Sequence, residues 1–385
     1  MTTPDHPRRV AGPGFLVAGR YRLRSKVGGG GMGAVWLAHD QLLDREVAVK
    51  QVVSTEGMTH TTADETRQRA MREGRIAARL GHRNAIAMHD VAVEDGEPWL
   101  VMEYLPSRSV AQILHAAGTL PAEQVAQIGA QVADAMAEAH DEGIVHRDIK
   151  PGNILIANSG RSAGLVKITD FGISRVDDEV QVTQSGVITG TPAYFAPEVA
   201  RGTDPSAASD VYSLGATLYT MVEGQPPFGV DENSLVLLDR VARGVINPPI
   251  CAGALAPILL RMLEPSPANR PTMAEARDTL ARLAAGDGVS SEQVLSGRVT
   301  KIDGGTPTWV RRTATPQPGA LGSYDRTAVP GPHHPGPHQP YPSHPYPLSG
   351  HPPQPSRSAV PVASAVFLGF LVLAVIALVL IAVLR

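Results

Sequence analysis

The sequence predicts an α+β chain, a small antiparallel sheet followed by a larger, mainly helical part, with a transmembrane helix near its C-terminal end. Three observations predict it. Between residues 20 and 104, short runs of alternating hydrophobicity are separated by turn residues, with Asp95-Gly96 as a hairpin signal. Beyond them the pattern turns helical, and over residues 121–140 Val125, Ile128, Val132 and Met136 form one apolar stripe. Residues 363–384 are apolar throughout except for Ser364 and Gly369. At about 1.5 Å per residue they reach roughly 33 Å, enough to cross a bilayer core. A buried helix would also be apolar, but here a proline-rich stretch leads into the segment.

The 385 residues have room for one large domain and a smaller unit, and a net charge of −3 leaves no nucleic-acid footprint. The single cysteine, Cys251, excludes an internal disulfide and a cysteine-built zinc site. It suits a reducing compartment and reads as a small buried apolar residue. Arg8-Arg9 precede an apolar run, Gly14 to Ala18, that is too short for a signal-peptide core, so the N-terminal part is expected to stay inside. The expected organisation is a disordered N-terminus over 1–19, a folded domain over 20–285, a disordered Pro/His-rich linker over 286–358, and the membrane helix and terminus over 359–385. Essentially no domain is expected beyond the membrane. Metal binding by the linker histidines, such as His333, His334 and His338, is disfavoured by irregular spacing and intervening prolines.

In chain order, residues 21–27 alternate as a half-buried strand does. Gly28, Gly30, Gly33 and Val35 then give Gly-x-Gly-x-x-Gly-x-Val, which lets the backbone approach phosphates. A dinucleotide-binding turn uses the same glycines but requires a helix at the last one. Here Ala34-Val35-Trp36-Leu37-Ala38 reads as a second strand, and no Gly-Lys-Ser/Thr follows. A third strand over 45–53 places Val47 and Val49 on one face, Ala48 and Lys50 on the other. Residues 62–80 read as a helix with two candidate glutamates. Glu73 lies among Ala70, Ile76, Ala77 and Leu80 on the apolar face, whereas Glu65 has polar neighbours. Strands over 87–93 and 99–104 complete the sheet. Farther on, Ile154-Leu155-Ile156 and Val166-Lys167-Ile168 read as a short hairpin.

That hairpin joins two chemical runs, Val145-His146-Arg147-Asp148-Ile149-Lys150-Pro151-Gly152-Asn153 and Asp170-Phe171-Gly172. It brings Asn153 and Asp170 back to one end. Lys150, two residues after Asp148, points the same way in an extended loop. The set offers one carboxylate to orient a hydroxyl, a lysine for a phosphate and two oxygen donors for magnesium. Phosphoryl transfer needs these things, since its catalysis is positioning plus charge neutralisation.

In this order and spacing the residues resemble the eukaryotic-type protein kinase family, over roughly residues 20–285, and His146 to Asn153 is similar to bacterial members of its serine/threonine branch. The resemblance implies the two-lobed protein kinase fold, ATP and Mg2+ as cofactors, and protein serine and threonine hydroxyls as acceptors. It implies that Gly28, Gly30 and Gly33, with Val27, Gly29 and Val35 around them, cover the nucleotide phosphates. Ala48 would lie against adenine, Lys50 would grip the phosphates and Glu73 would orient Lys50. Met102 would guard the back of the pocket, though it is equally an ordinary core filler. Glu103 and Leu105 would belong to a hinge whose backbone binds the adenine edge, so that side-chain identity there matters less. Asp148 would be the base, Lys150 would steady the γ-phosphate, and Asn153 with Asp170 would hold the metal. Glu198, in Ala196-Pro197-Glu198, would pair with Arg270, and the helix containing Asp210 would support the catalytic loop. Thr183 and Ser185 resemble the doubly phosphorylated Thr-x-Thr of bacterial relatives, which implies activation by autophosphorylation. One departure is His82-Arg83-Asn84, where relatives often have proline in the middle; another is Gly152, which bacterial members share. Neither touches a catalytic role. Implied partners are protein substrates, a second kinase domain in a dimer and phosphothreonine-binding proteins, with a single-pass cell-membrane anchor and a cytoplasmic kinase domain. The alternative is a non-catalytic ATP-binding membrane scaffold, against which an intact Asp148 argues.

Overall fold

The computed structural model describes residues 11–30, 33–51, 68, 71, 72, 74, 76–171 and 191–300. All belong to one unit, Met1–Gln317. Glu73, Thr183, Ser185, the linker from 301 onward and the apolar stretch 363–384 lie outside the described residues. Among the described residues no helix is long and apolar enough to cross a membrane.

The small lobe is a six-stranded antiparallel sheet of β1 (Leu16–Val17), β2 (Tyr21–Gly30), β3 (Gly33–Asp40), β4 (Arg45–Gln51), β5 (Met88–Glu94) and β6 (Glu97–Glu103), in the order β1-β2-β3-β4-β6-β5. The turn between β5 and β6 has Asp95 and Gly96 both at positive φ, 49° and 77°, as a two-residue hairpin of matching twist demands. One face of the sheet packs Tyr21, Leu23, Trp36, Val47, Val49, Trp99 and Val101. The other carries Ala48, Leu100 and Met102.

Three expectations are corrected here. Residues 11–19 are folded: Val17 is fully buried, Phe15 stacks on Trp99 with ring centroids 6.2 Å apart, and the Ala18 amide donates to Glu94 at 2.6 Å. The apolar run too short for a signal core is long enough to close a sheet edge. In β2, register shifts between Leu23 and Ser25 and between Lys26 and Gly28 break the alternation, leaving Val27 47% exposed. In the helix before β5, Ile76 is exposed, while Gly74 and Leu80 are buried. A Cβ on Gly74 would stand 3.0 Å from Val91 and 3.1 Å from Leu100, so a poor helix former is used where helix and sheet approach closely.

The helical lobe begins with β7 (Ser107–Ser109) and α1 (Val110–Ala117), whose first turn is closed by a Ser109/Gln112 capping box. Its centre is α2 (Ala122–Asp141), with Val125, Ile128, Val132 and Met136 fully buried as the stripe predicts; Pro121 stands just before its first residue. Strands β8 (Ile154–Ala157) and β9 (Val166–Ile168) form the expected hairpin, with β7 added beside β8. There follow α3 (Pro197–Ala200), α4 (Ala207–Glu223), α5 (Ser234–Arg243), α6 (Ala256–Met262), α7 (Met273–Ala285) and α8 (Ser291–Ser296). Arg270 forks onto Glu198 at 2.6 and 2.7 Å.

Two further differences concern this lobe. Cys251 is exposed, since it follows Ile250 (88% exposed) in a surface loop, where its amide donates to Glu223 at 2.7 Å. Residues 286–300, read from their polarity as linker, are folded: Val294 and Val299 are 5% and 1% exposed and join the main core. Val294 and Val299, with Leu295 packed beside them, seat a mostly polar stretch.

Candidate active site

The site is assembled on a loop that hangs from α4. Asp210, in the first turn of that helix and 1% exposed, accepts the amides of His146 at 2.7 Å and Arg147 at 2.9 Å; His140 Nε2 lies 2.9 Å away. These bonds hold Arg147 at φ 66°, a backbone region that non-glycine residues rarely occupy.

His146 is fully buried, and burial pushes its imidazole below the ordinary range, so the ring is neutral. Its Nε2 lies 3.0 Å from the Thr169 carbonyl, which can only accept, so Nε2 carries the hydrogen. Nδ1 then accepts the Asp148 amide at 3.3 Å. With Phe171 packed at 4.6 Å, the ring rivets the loop to the stretch around Asp170. Asp170 itself is at φ 62°.

On this frame Asp148 is 8% exposed, with Lys150 Nζ at 2.9 Å from its Oδ2. Lys150 has extended backbone, φ −156° and ψ 164°, as the two-residue spacing requires. Asn153 donates from Nδ2 to the Asp148 carbonyl at 2.8 Å and to Oδ2 at 3.0 Å, which leaves its amide oxygen as the atom for a cation. From the small lobe Lys50, 4% exposed, reaches Asp170 Oδ1 at 2.9 Å.

Between the sheet and this loop lies a cavity of about 410 Å³. Val27, Gly28, Gly29, Val35 and Ala48 line it from the sheet, and Met102, Glu103 and Leu105 from the segment leaving β6. Asp170 is a wall residue, so Lys50 meets the cavity through its ion pair. Gly30 and Gly33 are not wall residues; they face each other at the hairpin tip. Gly33 has φ 108°, and a Cβ there would stand 2.9 Å from the Gln51 carbonyl. The structure therefore pairs Asp148 with Lys150 and Asn153, pairs Lys50 with Asp170, and makes Asp170 a wall of a pocket lined by most of the expected nucleotide-binding residues.

A protein kinase domain model matches residues 21–280. The chain belongs to the protein kinase family. Serine/threonine-protein kinase PknB of Mycobacterium leprae is 36% identical over 311 residues, 77% of this chain and 46% of that protein. Serine/threonine-protein kinase PknA of Mycobacterium tuberculosis is 38% identical over 265 residues, 68% of this chain and 59% of that protein. The chain thus spans about half the length of the curated relatives it matches. A crystal structure of Rad53 1-466 in complex with AMP-PNP is similar at a TM-score of 0.55 and 27% identity, covering 68% of this chain and 64% of that one.

Some residues of this kinase domain escaped the sequence reading. Ile86, Tyr104, Leu155 and Thr169 also line the cavity. Leu155 was open to inference: between Ile154 and Ile156, both in the core, period two turns it to the opposite face. The hinge also depends on a side chain, contrary to expectation. Lys167 in β9, 7% exposed, donates to Glu103 at 2.9 Å and to the Ala85 carbonyl at 2.8 Å. Glu103 in turn accepts the Ala87 amide at 3.2 Å. A lysine inside a short apolar strand was the one visible hint.

Proposed function

We propose that the chain is a serine/threonine protein kinase that transfers the γ-phosphate of ATP to hydroxyls of protein substrates with Mg2+. One observation carries the reading: Asp148 is paired with Lys150 and Asn153, the Asn153 carbonyl accepts the Thr169 amide beside Asp170, and Asp170, paired with Lys50, is a wall of a nucleotide-sized cavity. The pocket suits the nucleotide in shape and polarity. Val35, Ala48, Met102 and Leu155 offer apolar walls for a base, and Asp170 is a polar wall. The Asp170 carboxylate and the Asn153 amide oxygen are hard donors of the kind magnesium takes.

In this reading Lys50 draws the phosphates inward, and Glu73 orients Lys50. Gly28, Gly30 and Gly33 close over the phosphates, with Val27 and Gly29 beside them. Asp148 orients the acceptor hydroxyl and takes its proton, while Lys150 neutralises charge on the phosphoryl group in flight. Asn153 and Asp170 would hold the metal, which offsets phosphate charge when bound. Hinge groups at Glu103 and Leu105 recognise the base edge. A scaffold that binds nucleotide without turnover would have no use for this arrangement around Asp148. Thr183 and Ser185 are the sites at which autophosphorylation would raise activity, a reading supported by their Thr-x-Ser pattern alone.

Asp148→Asn keeps the shape but removes the base, and such bases are typically worth about 10²–10⁴-fold. Phosphate transfer to a generic protein substrate should fall by that much, with ATP affinity nearly unchanged. A variant at the parental rate would overturn the assignment.

Residues 363–384 are proposed to span the cell membrane, with the kinase domain on the cytoplasmic side where ATP is. Length and hydropathy support this. Deleting 359–385 should move an active kinase from washed membranes to the soluble fraction. Retention in the membranes would refute the anchor.

A further inference from the structure

Residues 286–300 run back over the helical lobe as a strap whose hydrogen bonds are made mostly by its backbone. Three glutamines on one stripe of α2 hold its carbonyls. Gln131, fully buried, donates to Val294 at 2.7 Å and to Gly297 at 2.8 Å; Gln127 donates to Arg298 and Gln124 to Thr300, both at 3.3 Å. On the far side the Val299 amide donates to the Gly164 carbonyl at 2.9 Å, and the Arg298 side chain reaches the Ala163 carbonyl at 3.3 Å. A Cβ on Gly164 would stand 2.7 Å from the Val299 carbonyl, so glycine is what lets the strap in. The side chains that anchor it are Val294 and Val299, with Leu295 partly buried beside them.

One contact joins this strap to the boundary between the lobes. Arg83 Nη2 donates to the Ser296 carbonyl at 2.8 Å. Arg83 is the residue that departs from the family's usual proline, and nothing in the catalytic set uses it. Its neighbours fix the loop elsewhere: His82 lies 3.2 Å from Asp134, and Asn84 donates to the Val166 carbonyl at 2.7 Å. The strand-like run that follows pairs with β9, with the Ile168 amide on Asn84 and the Ile86 amide on Ile168 at 2.8 and 2.9 Å. Ile86 is a wall of the nucleotide cavity. A continuous set of bonds therefore runs from the strap through Arg83 to the pocket.

We infer that residues 286–300 are a positioning element of the kinase, a strap whose docking sets loop 82–86 and so the fit of the nucleotide. This rests on the kinase reading for its catalytic consequence, though not for the docking. Arg83 is a positioning residue, since its one hydrogen bond among the described residues goes to the strap's backbone. Release of the strap loosens the wall at Ile86 and weakens ATP binding, with little effect on the chemical step at Asp148.

The test uses the full chain and three variants, Val299→Asp, Arg83→Ala and Arg83→Lys. Val299→Asp should speed amide exchange over 290–300 and open Arg298 to trypsin. Its KM for ATP should rise about three- to tenfold, within what one or two hydrogen bonds are worth, while kcat stays within about twofold. Arg83→Ala should show a smaller rise of KM in the same sense, and Arg83→Lys, which keeps a donor, should restore it. In the double variant Arg83→Ala/Val299→Asp the effects should not add, because both break one route. ATP binding measured by calorimetry should move with KM, and it stays readable if the parent chain shows no turnover, the outcome that would count against the kinase reading alone. The inference fails if exchange over 290–300 is unchanged in Val299→Asp. It also fails if the strap is released and ATP affinity is unchanged.

Discussion

Arg270 is the residue on which most of one corner of the helical lobe depends. Its side chain is fully buried, forks onto Glu198, donates to the carbonyls of Glu264, Ala208 and Pro265, and lies 4.8 Å over the Tyr212 ring. Burial alone would push the Glu198 carboxyl up, but the guanidinium outweighs it and holds the group below its usual range. Arg270→Ala would leave a half-desolvated carboxylate and three carbonyls without their donor. The loss should be about 3–5 kcal/mol, the usual cost of breaking a buried pair from one side. Arg270→Lys should lose less, because an ammonium keeps the charge and gives up the fork. Urea unfolding measures both, and an Arg270→Ala variant as stable as its parent would show that the fork is ornamental. At this scale the sequence was informative where chemistry follows local spacing. Asp148 meets Lys150 because an extended loop repeats every two residues. Lys167 and Glu103, 64 positions apart, meet only because β9 and β6 come together, and no local pattern encodes that.

Helix α4 carries Gly215 in its interior, where alanine would ordinarily be better by about 1 kcal/mol. The reason for glycine lies in the neighbouring helix. A Cβ at 215 would stand 2.9 Å from Met262 Cβ in α6 and 3.4 Å from Leu263 Cγ and Cδ2. The closest atom is fixed to the backbone, so relief requires α6 to move. Overpacking of this kind costs about 1–3 kcal/mol, which exceeds the propensity gain. Gly215→Ala should therefore destabilise the protein by about 1–2 kcal/mol in chemical denaturation, and a variant more stable than its parent would contradict this packing. Element types were legible for the same reason that α4 is recognisable: periodicity marks helices and strands even where their exact faces shift. The bulges of β2 and the exposure of Ile76 were not legible, because register and helix rotation are set by the partner surface. The strap at 286–300 was hidden by its polarity, since few of its side chains are apolar and most of its hydrogen bonds are made by carbonyls that any sequence possesses.

At the scale of the whole domain, three buried or half-buried carboxylates among the described residues, in separate places, are held below their usual range by cationic or hydrogen-bonding partners. In the small lobe Arg20 donates twice to Asp40 at 2.7 Å, enough to outweigh burial and bring that carboxyl down to about 2. On α2 the hydrogen bond from His82 lowers Asp134 against the cost of burial, with Arg277 adding to it. In the helical lobe Arg270 does the same for Glu198. A carboxylate of lowered pKa in the fold binds fewer protons than in the unfolded chain, so stability is fully present above the ordinary carboxylate range and is lost as pH falls toward the folded value. Acidification from about pH 5 to about pH 3 should therefore reduce the urea midpoint steadily in the intact kinase domain. Asp40 can be separated from the others through its partner. Arg20→Gln should destabilise the protein at pH 7 and should then lose less than the parent between pH 5 and pH 3. Arg45, 3.8 Å from Asp40, is too distant to restore the pair. Equal losses in parent and variant over that interval would mean that Asp40 is not held low in the fold, and the acid sensitivity would have to come from Asp134 and Glu198.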